Sequence, residues 1–371
     1  MKISIEKNLI YKALSHVQSI VEKKNTIPIL SNILLEATDS SIILSATDMD
    51  ISITETIHCS VIEKGSVTVP AHTLYDIVRK IPDGSEIEFI VNDGKKFSIR
   101  SGKSKFSLSC LPKKDFPLIE IDKLDCEFSI NSDIFLTLIE KTRFAISNEE
   151  TRYFLNGIYF HKKTINNLDN LSLVATDGHR LAKINLPFPD GLIDIPGVII
   201  PKKTVYELGK LLADINEEVI INIDPNKIIF YIGNTTLISK LIDGNFPDYE
   251  RVIPKNNNMI VKTDRKKFCE AVDRVSTITN EKSRAIKFRL LNNLINMTSS
   301  DAENGTATED ISVQYEGEEI EIGFNSKYLL EMINQLNEEK LVLEFSDSTS
   351  PLIVKESSGN DLIYVLMPMR V

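Results

Sequence analysis

The amino-acid sequence predicts an α+β protein in which one domain plan occurs three times in tandem, each copy placing two helices on a layer of antiparallel strands. Three observations support this prediction. Related segments recur about every 125–130 residues, each copy has two apolar stripes with helical spacing, and the rest consists of β-branched runs separated by turn residues. A chain of 371 residues is also too long for one ordinary domain.

The recurrence is clearest in two pairs of segments. The segment "LPKKDFP" (111–117) returns as "LIDGNFP" (241–247), and "SATD" (45–48) returns as "VATD" (174–177). A weaker third copy, "TSSD", ends at Asp301. A period of this length is that of a whole domain and not of a solenoid repeat. With polar linkers in "PKKDFPLIEIDK" and "PKNNN", the predicted domains are residues 1–122, 123–251 and 252–371.

Each copy contains two helical stripes. In the first, Ile10, Ala13, Leu14 and Val17 follow the i, i+3, i+4, i+7 spacing of a helix with one buried face. Five more sets follow it in full or in part: Leu74, Ile77, Val78 and Ile81; Phe135, Leu138 and Ile139; Val205, Leu208 and Leu212, with Leu211 beside them; Phe268, Ala271, Val272 and Val275; Leu329, Met332, Ile333 and Leu336.

The remaining sequence favours strands, seven or eight in each copy. The segment "EIEFIVNDGKKFSIRS" has two alternating runs around Asn92, Asp93 and Gly94, which predicts a hairpin. The segments "SIILSATDMDISITETI" and "VIINIDPNKIIFYIG" are β-branched runs with turn residues between them.

The charge argues against a generally nucleic-acid-binding surface. The net charge is −10, and none of the three predicted domains is basic. Binding to a phosphate polyanion therefore requires the cations to be concentrated on one layer. The predicted helices offer such cations on their non-buried faces, among them Arg79, Lys80, Lys202 and Lys203, which are the candidate contacts to such a polyanion.

Several classes of protein and site are disfavoured. The first ten residues have no apolar run typical of a signal peptide, and no run approaches the ~20 residues of a membrane span. Cys59, Cys110, Cys126 and Cys269 form no CxxC pair and have no histidine at ligand spacing, which argues against zinc. We expect reduced thiols, a cytoplasmic protein, and neither a metal nor a cofactor.

The segment "VATDGHRLAK" resembles an active site because it places Asp177, His179 and Arg180 within four positions. A hydrolase or phosphoesterase using Asp177 and His179 is therefore the alternative function. No GxSxG, HExxH or P-loop motif accompanies the segment, and the histidines at positions 16, 58, 72 and 161 form no cluster. A turn bracketed by Asp177 is the structural interpretation, and we predict no catalytic residue.

Six segments together carry a family resemblance that runs along the whole chain. They are "TVPAHTLYDIVRKIPDGSEI", "RYFLNGIYF", "VATDGHRLA", "SKLIDGNFPDYERVIPK", "EIGFNSKYLLEMIN" and "YVLMPMRV". In this order they resemble the bacterial DNA polymerase III beta subunits, the replicative sliding clamps. The resemblance implies three clamp domains per chain and a head-to-tail homodimer that closes a ring with its helices inside. Double-stranded DNA passes through the ring, independent of sequence, and the subunit confers processivity without catalysis.

The resemblance also implies a cleft, between the second and third domains, in which partners dock short peptides. Those partners are the DNA polymerase III alpha subunit, the clamp loader, other polymerases and repair proteins. The matching positions are Leu155, Thr176, Gly178, His179, Arg180, Leu181, Pro247, Arg251, Val252, Val365, Met367, Pro368, Met369 and Arg370. Methionine suits a pocket with several ligands, and the arginines suit a polar rim facing carboxylates. Leu155, Leu181 and Val365 are also compatible with an ordinary core.

Further positions match the DNA and dimer contacts of the family. For DNA they are Lys24, Arg152 and Tyr153, while Glu149 stands where Gln is usual and should repel phosphate. Lys24 replaces an arginine and Phe154 a second tyrosine. For the dimer interface they are Phe106 and Ile278, with Thr277 in place of a larger aliphatic residue. A protein scaffold that never meets DNA is a further alternative.

Overall fold

A computed structural model describes residues 1–23, 26–91, 96–117, 126–189, 194–359 and 361–370. The helices of these residues are α1 (Lys7–Ile20), α2 (Ala71–Lys80), α3 (Ser132–Arg143), α4 (Lys202–Leu212), α5 (Arg265–Ser276) and α6 (Ser326–Ile333). Each predicted repeat therefore contributes two helices, as the apolar stripes indicated.

The strands follow the repeats as well. The first repeat holds β1 (Lys2–Glu6), β2 (Asn32–Ala37), β3 (Ser41–Thr47), β4 (Ile51–His58), β5 (Ser60–Glu63), β6 (Gly65–Pro70), β7 (Glu86–Val91), β8 (Lys96–Ser101) and β9 (Ser104–Ser109). The second holds β10 (Cys126–Asn131), β11 (Gly157–Ile165), β12 (Leu168–Thr176), β13 (Arg180–Pro187), β14 (Val198–Pro201), β15 (Glu218–Ile223), β16 (Lys227–Ile232) and β17 (Thr235–Lys240). The third holds β18 (Met259–Asp264), β19 (Ala285–Leu291), β20 (Leu294–Asp301), β21 (Gly305–Ser312), β22 (Ile320–Asn325), β23 (Lys340–Phe345), β24 (Leu352–Glu356) and β25 (Leu362–Leu366).

The described part of the first repeat thus exceeds the expected seven or eight strands by the short β5. The predicted hairpin is present as β7 pairing with β8, with Phe89 opposite Ile99. Its turn residues, Asn92 to Gly94, lie outside the described residues, as does the predicted domain boundary at residue 122.

The chain divides into two compact units. The first comprises residues 1–136, 189–196 and 203–241 and contains two antiparallel sheets. One has the order β5-β1-β7-β8-β9, and the other the order β10-β15-β16-β17-β4-β3-β2-β6. In the second sheet β17, from the second repeat, pairs with β4, from the first. Strand pairing therefore crosses between repeats inside this unit.

The second unit comprises residues 137–188, 197–202 and 242–371. Its eight-stranded sheet has the order β14-β11-β12-β13-β25-β24-β23-β18, and its four-stranded sheet the order β21-β20-β19-β22. Here β13 of the second repeat pairs with β25 of the third. Because the backbone ladder continues across the repeats, each eight-stranded sheet combines strands of two predicted domains.

The predicted helical stripes form the cores of these units. Ile10, Ala13, Leu14 and Val17 are all fully buried. Helix α5 begins after Asp264, whose carboxylate accepts the Lys267 N–H at 2.8 Å and so satisfies a free donor of the first turn. Helix α6 is shorter than its stripe, since it ends at Ile333 while Leu336 is buried beyond it.

Candidate functional site

The segment that contains Asp177 and His179 is a tight turn between β12 and β13. Thr176 Oγ1 donates to Arg180 O at 2.7 Å and accepts from Gly178 N at 3.1 Å. Asp177 Oδ1 accepts from the backbone N–H groups of His179 and Arg180 at 2.9 and 3.0 Å. Gly178 has a φ of 87°, which a glycine adopts without a steric penalty. The carboxylate therefore forms the turn, as the structural interpretation of the sequence predicted.

The same turn occurs between β3 and β4 of the first repeat. Thr47 Oγ1 donates to Ile51 O at 2.9 Å and accepts from Met49 N at 3.0 Å. Asp48 Oδ1 accepts from Asp50 N at 2.9 Å and from Ile51 N at 2.8 Å, and Met49 has a φ of 83°. Bond for bond, this turn repeats the one around Asp177.

The third repeat keeps the aspartate. Asp301 Oδ1 accepts the backbone N–H groups of Glu303 and Asn304 at 2.9 and 3.0 Å, and these bonds lower the pKa of its carboxyl. The aspartate thus recurs as a turn former in repeats that have no histidine beside it. The aspartate of "VATDGHRLAK" is therefore a turn former of this fold, and nothing supports the hydrolase alternative.

Arg180 lies beneath the turn and not on an exposed rim, where we predicted it would face carboxylates of a ligand. It is 8% exposed. Its Nε donates to Asp177 Oδ2 at 3.0 Å, its guanidinium also donates to Glu331 and to Phe144 O, and it stacks 4.4 Å from the centre of the Tyr328 ring. Burial of a charge is costly unless it is paired. The Arg180 guanidinium is paired with two carboxylates of the chain itself, those of Asp177 and Glu331.

We predict that Asp177→Ala destabilises the protein by about 2 kcal/mol, because it removes the acceptor of two backbone N–H groups and one of two carboxylate partners of a buried guanidinium. Chemical denaturation followed by circular dichroism measures this. His179→Ala is the matched control, since His179 is exposed and should alter the free energy of unfolding by less than about 0.5 kcal/mol. An Asp177→Ala variant as stable as the unchanged chain would contradict the structural role.

Strand pairing brings the turn to the C-terminal segment of the chain. Leu181 in β13 lies opposite Val365 in β25, and Met367 N donates to His179 O at 2.9 Å. These segments are far apart in sequence, and the sequence placed them together only through the family resemblance. The structure puts all fourteen predicted cleft positions in the second compact unit.

The predicted cleft positions differ in burial. Leu155, Leu181 and Val365 are 2–3% exposed, and Leu181 and Val365 pack with Val174 and Tyr249 in one apolar cluster. Their burial agrees with the core interpretation of these three positions. The exposed positions are Gly178, His179, Pro247, Arg251, Val252, Met367 and Arg370; Pro368 and Met369 are half-buried, and Thr176 and Arg180 are buried.

A cavity of about 540 Å³ adjoins three of these positions. Its lining combines apolar Val252, Pro254 and Met367 with polar side chains from two loops. The lining residues are Arg251, Val252, Pro254, Lys255, Asn256, Asn257, Ser346, Asp347, Ser350, Pro351 and Met367. Most of the lining residues are polar and a minority are apolar, so the cavity suits a peptide side chain of mixed character.

Several predicted DNA contacts have partners within the chain. Arg79 pairs with Asp76 at 3.0 Å, and Lys203 donates to Asp48 and to Ile20 O. Lys202 donates to Asn148 Oδ1, and Lys80 is exposed. Lys24 lies outside the described residues.

Arg152 is held by the unusual Glu149. Its Nε and one terminal nitrogen each donate to a Glu149 oxygen at 2.7 Å, and the latter nitrogen also reaches Asp177 O at 3.0 Å. These bonds lower the pKa of the Glu149 carboxyl. Tyr153, beside it, is 53% exposed. The charge that the sequence identified as repulsive toward phosphate is thus paired with the neighbouring arginine.

The two predicted dimer contacts lie in different units. Phe106 is 38% exposed in β9, the terminal strand of the five-stranded sheet. Ile278 is half-buried shortly after α5. In the second unit, β21 is the terminal strand of the four-stranded sheet. Terminal strands offer unpaired backbone groups to another chain.

The remaining expectations concern metal sites, membrane spans and the cysteines. Among the described residues no three His, Cys, Asp or Glu side chains are grouped as for a metal ion, and no described helix has the length and apolar character to cross a membrane. The four cysteines are free, and burial raises their thiol pKa values, that of Cys110 to about 11.

Sequence reasoning missed the side chains that support the predicted cleft from behind. They include Glu331 and Tyr328 against Arg180, and Lys183, which is 6% exposed in β13. The only sequence signal for Lys183 is its position in the otherwise apolar run "RLAKINL", since a lysine there must find a buried partner.

The chain thus consists of three repeats of one α+β domain, with a structural turn at the position of the candidate catalytic pair. Sequence models of the N-terminal, central and C-terminal domains of the DNA polymerase III beta subunit match residues 1–120, 129–248 and 250–370. The chain therefore belongs to the DNA polymerase III beta subunit family, that of the sliding clamps.

Individual relatives match over the full length of both chains. The beta sliding clamp of Caulobacter vibrioides is 45% identical over 372 residues. The crystal structure of the sliding clamp of Bartonella birtlesii bound to griselimycin is 44% identical with a TM-score of 0.97. That of Pseudomonas aeruginosa, also bound to griselimycin, is 36% identical with a TM-score of 0.94.

Proposed function

We propose that two copies of this sliding clamp close head to tail into a ring around duplex DNA and tether the replicative polymerase to it. The observation that carries the proposal is the full-length match of three clamp domains in tandem. Helices line the inside of the ring and sheets form its outside. We place the domains at residues 1–122, 123–251 and 252–371, in a cytoplasmic protein that associates with the nucleoid during replication.

The ring closes through the terminal strands β9 and β21 of opposite subunits. Strand β9 and its preceding turn carry Lys103 and Lys105, whereas β21 carries Glu309 and Asp310. Because Glu309 already pairs with Arg274 at 2.6 Å, we assign Asp310 as the carboxylate that faces a lysine of the other edge. The exposed Phe106 adds an apolar contact, for which Ile278 of the other subunit is the partner. Pairing both edges also removes the aggregation hazard of an open strand.

DNA is held by enclosure and by weak phosphate contacts. We assign these contacts to Lys24, Arg79, Lys80, Arg152, Tyr153, Lys202 and Lys203. Arg79, Arg152 and Lys203 each have a carboxylate partner in the chain. Contact with phosphate must then compete with an existing ion pair, which weakens the hold and favours sliding.

The cleft binds short peptides that lead with a polar or acidic residue followed by leucine and phenylalanine. Leu155, Leu181 and Val365 form the apolar floor, while Arg251, which is 83% exposed at its side chain, and Arg370 receive carboxylates. Arg180 supports the floor from below. The partners that carry such peptides are the DNA polymerase III alpha subunit, the clamp loader, other polymerases and repair proteins. We propose that griselimycin occupies the same cleft.

The test of enclosure compares circular with linear DNA. Labelled clamp is loaded onto a nicked circular plasmid by its clamp loader and separated from free protein by gel filtration. We expect the clamp to stay with the circle and to be released when a restriction enzyme cuts the plasmid once, because only topology differs between the two forms. Equal retention on both forms would mean that the protein grips DNA and would refute enclosure.

A further inference from the structure

Residues 242–254, which we call the strap, cross one face of the eight-stranded sheet of the second unit. Cross-strand partners Tyr159, Val174, Lys183 and Ile363 share that face, since residues directly opposite each other point the same way. Tyr249 of the strap is 6% exposed and packs against Val174, with Tyr159 and Ile363 at the edge of the same cluster. The strap is thus packed onto the sheet and is not a free loop.

An aromatic stack fixes the strap at two points. Phe246 lies parallel to Tyr159, with ring centres 4.9 Å apart and an angle of 7°, and Tyr159 lies parallel to His161 at 4.2 Å. His161 Nε2 then meets Tyr249 Oη at 3.0 Å. One sheet strand, β11, therefore supplies two rings that hold two strap rings, by stacking and by a hydrogen bond.

A buried charge fixes the strap at a third point. Lys183 is 6% exposed, and its Nζ donates to Glu250 Oε1 at 2.9 Å. Lys163 lies 3.5 Å from the same oxygen, and Lys183 Nζ is 5.4 Å from the centre of the Tyr249 ring. Removing Glu250 would leave Lys183 buried without its carboxylate partner, which makes the contact costly to break.

The anchored residues lie between strap residues that we assign to the peptide cleft. Pro247 precedes Tyr249 by two positions, while Arg251 and Val252 follow Glu250 directly. Residues Tyr249–Arg251 form one 3₁₀ turn, in which Val252 N donates to Tyr249 O at 3.1 Å. A shift of Tyr249 or Glu250 therefore moves the cleft residues on both sides.

We propose that Lys183, through Glu250, and His161, through Tyr249, are positioning residues of the peptide cleft, so that peptide affinity depends on side chains that the peptide does not touch. This inference rests on the proposed peptide-binding function. If the strap were not anchored, each binding event would have to order it, at a cost in conformational entropy. The anchors instead hold Pro247, Arg251 and Val252 in place before the peptide binds.

The experiment measures griselimycin binding to the full-length protein by surface plasmon resonance. Lys183→Met and Tyr249→Phe should each weaken binding about tenfold, mainly by faster dissociation, and Lys183→Arg should restore most of the affinity. Glu250→Gln combined with Lys183→Met should add little to either single change, because both remove the same contact. Lys162→Met is the matched control. Lys162 follows His161 in β11, so its side chain lies on the face of the sheet opposite the strap, and the substitution breaks an ion pair with Asp169.

The outcomes separate the inference from the function on which it rests. Unchanged griselimycin affinity in both Lys183→Met and Tyr249→Phe would overturn the positioning role while leaving the cleft intact. An equal loss in Lys162→Met would assign the effect to general destabilisation and would also overturn it. Failure of the unchanged protein to bind griselimycin would instead refute the proposed cleft, and the inference with it.

Discussion

Removal of the last five residues, from Met367 onward, is expected to weaken binding of griselimycin or a partner peptide by more than about a hundredfold. Met367 is 40% exposed, donates its N–H to His179 O at 2.9 Å and lines the cavity beside Val252. Met369 N donates to Gly323 O at 2.8 Å, which fixes the segment to the four-stranded sheet. The loss of two or three apolar contacts of ~1.5 kcal/mol each is enough to weaken binding by about a hundredfold.

The truncation should leave the fold and the ring intact. Strand β25 ends at Leu366, so its pairing with β13 and β24 is complete without the removed residues. Size-exclusion chromatography with light scattering should still give a dimer, and the truncated clamp should still stay on circular DNA. Peptide binding within about threefold of the full-length chain would show that the C-terminal segment is not part of the cleft.

The stability of the protein should fall by about 2 kcal/mol between pH 7 and pH 5 because of His161 alone. Burial, together with the nearby Lys163 and Lys183, lowers the pKa of this histidine to about 4, against about 6.5 in an unfolded chain. As the pH falls, the unfolded state takes up the proton first. The stabilisation is therefore complete above about pH 6.5 and is lost progressively down to about pH 4, by ~3 kcal/mol in all.

Unfolding free energies measured by denaturant titration at several pH values test this. His161→Gln should flatten the slope between pH 7 and pH 5, because glutamine does not titrate there. His16→Gln is a control of opposite sign. Burial lowers the pKa of His16, but Glu55 and Asp214 raise it to a net increase, so its contribution is present below about pH 6.5 and is lost as the pH rises. An unchanged slope in His161→Gln would contradict the neutral, buried histidine.

The sequence was sufficient for features that depend on short spacing. The stripes of α1 and α5 are buried as predicted, and Asp177 forms the turn that its neighbours indicated. Burial of Arg180 could not be predicted, because the Glu331 that compensates its charge is 151 positions away in sequence. Periodicity reports which face of an element is apolar but not which distant side chain covers it.

The strap anchors were missed for the same reason. In the sequence, His161 is one of five scattered histidines and Lys183 a lysine in a strand, with no sign that Tyr249 and Glu250 meet them. The pairing of β17 with β4 and of β13 with β25 was also beyond the sequence. The sequence gives no sign that strands of different predicted domains pair, because the alternation of apolar and polar residues shows that a strand is half-buried but not which strand lies beside it.

Neighbouring repeats are held together by strand pairing as well as by the linker, because the hydrogen-bond ladder of the sheet continues from one repeat into the next. Between β17 and β4, five residues face five others, from Thr235 opposite Glu55 to Ser239 opposite Ile51. A polypeptide nicked in the linker after the first repeat would keep this seam, since cleavage of one peptide bond leaves the hydrogen bonds of the sheet untouched. The pairing of β17 with β4 thus holds the first and second repeats together independently of the covalent linker between them.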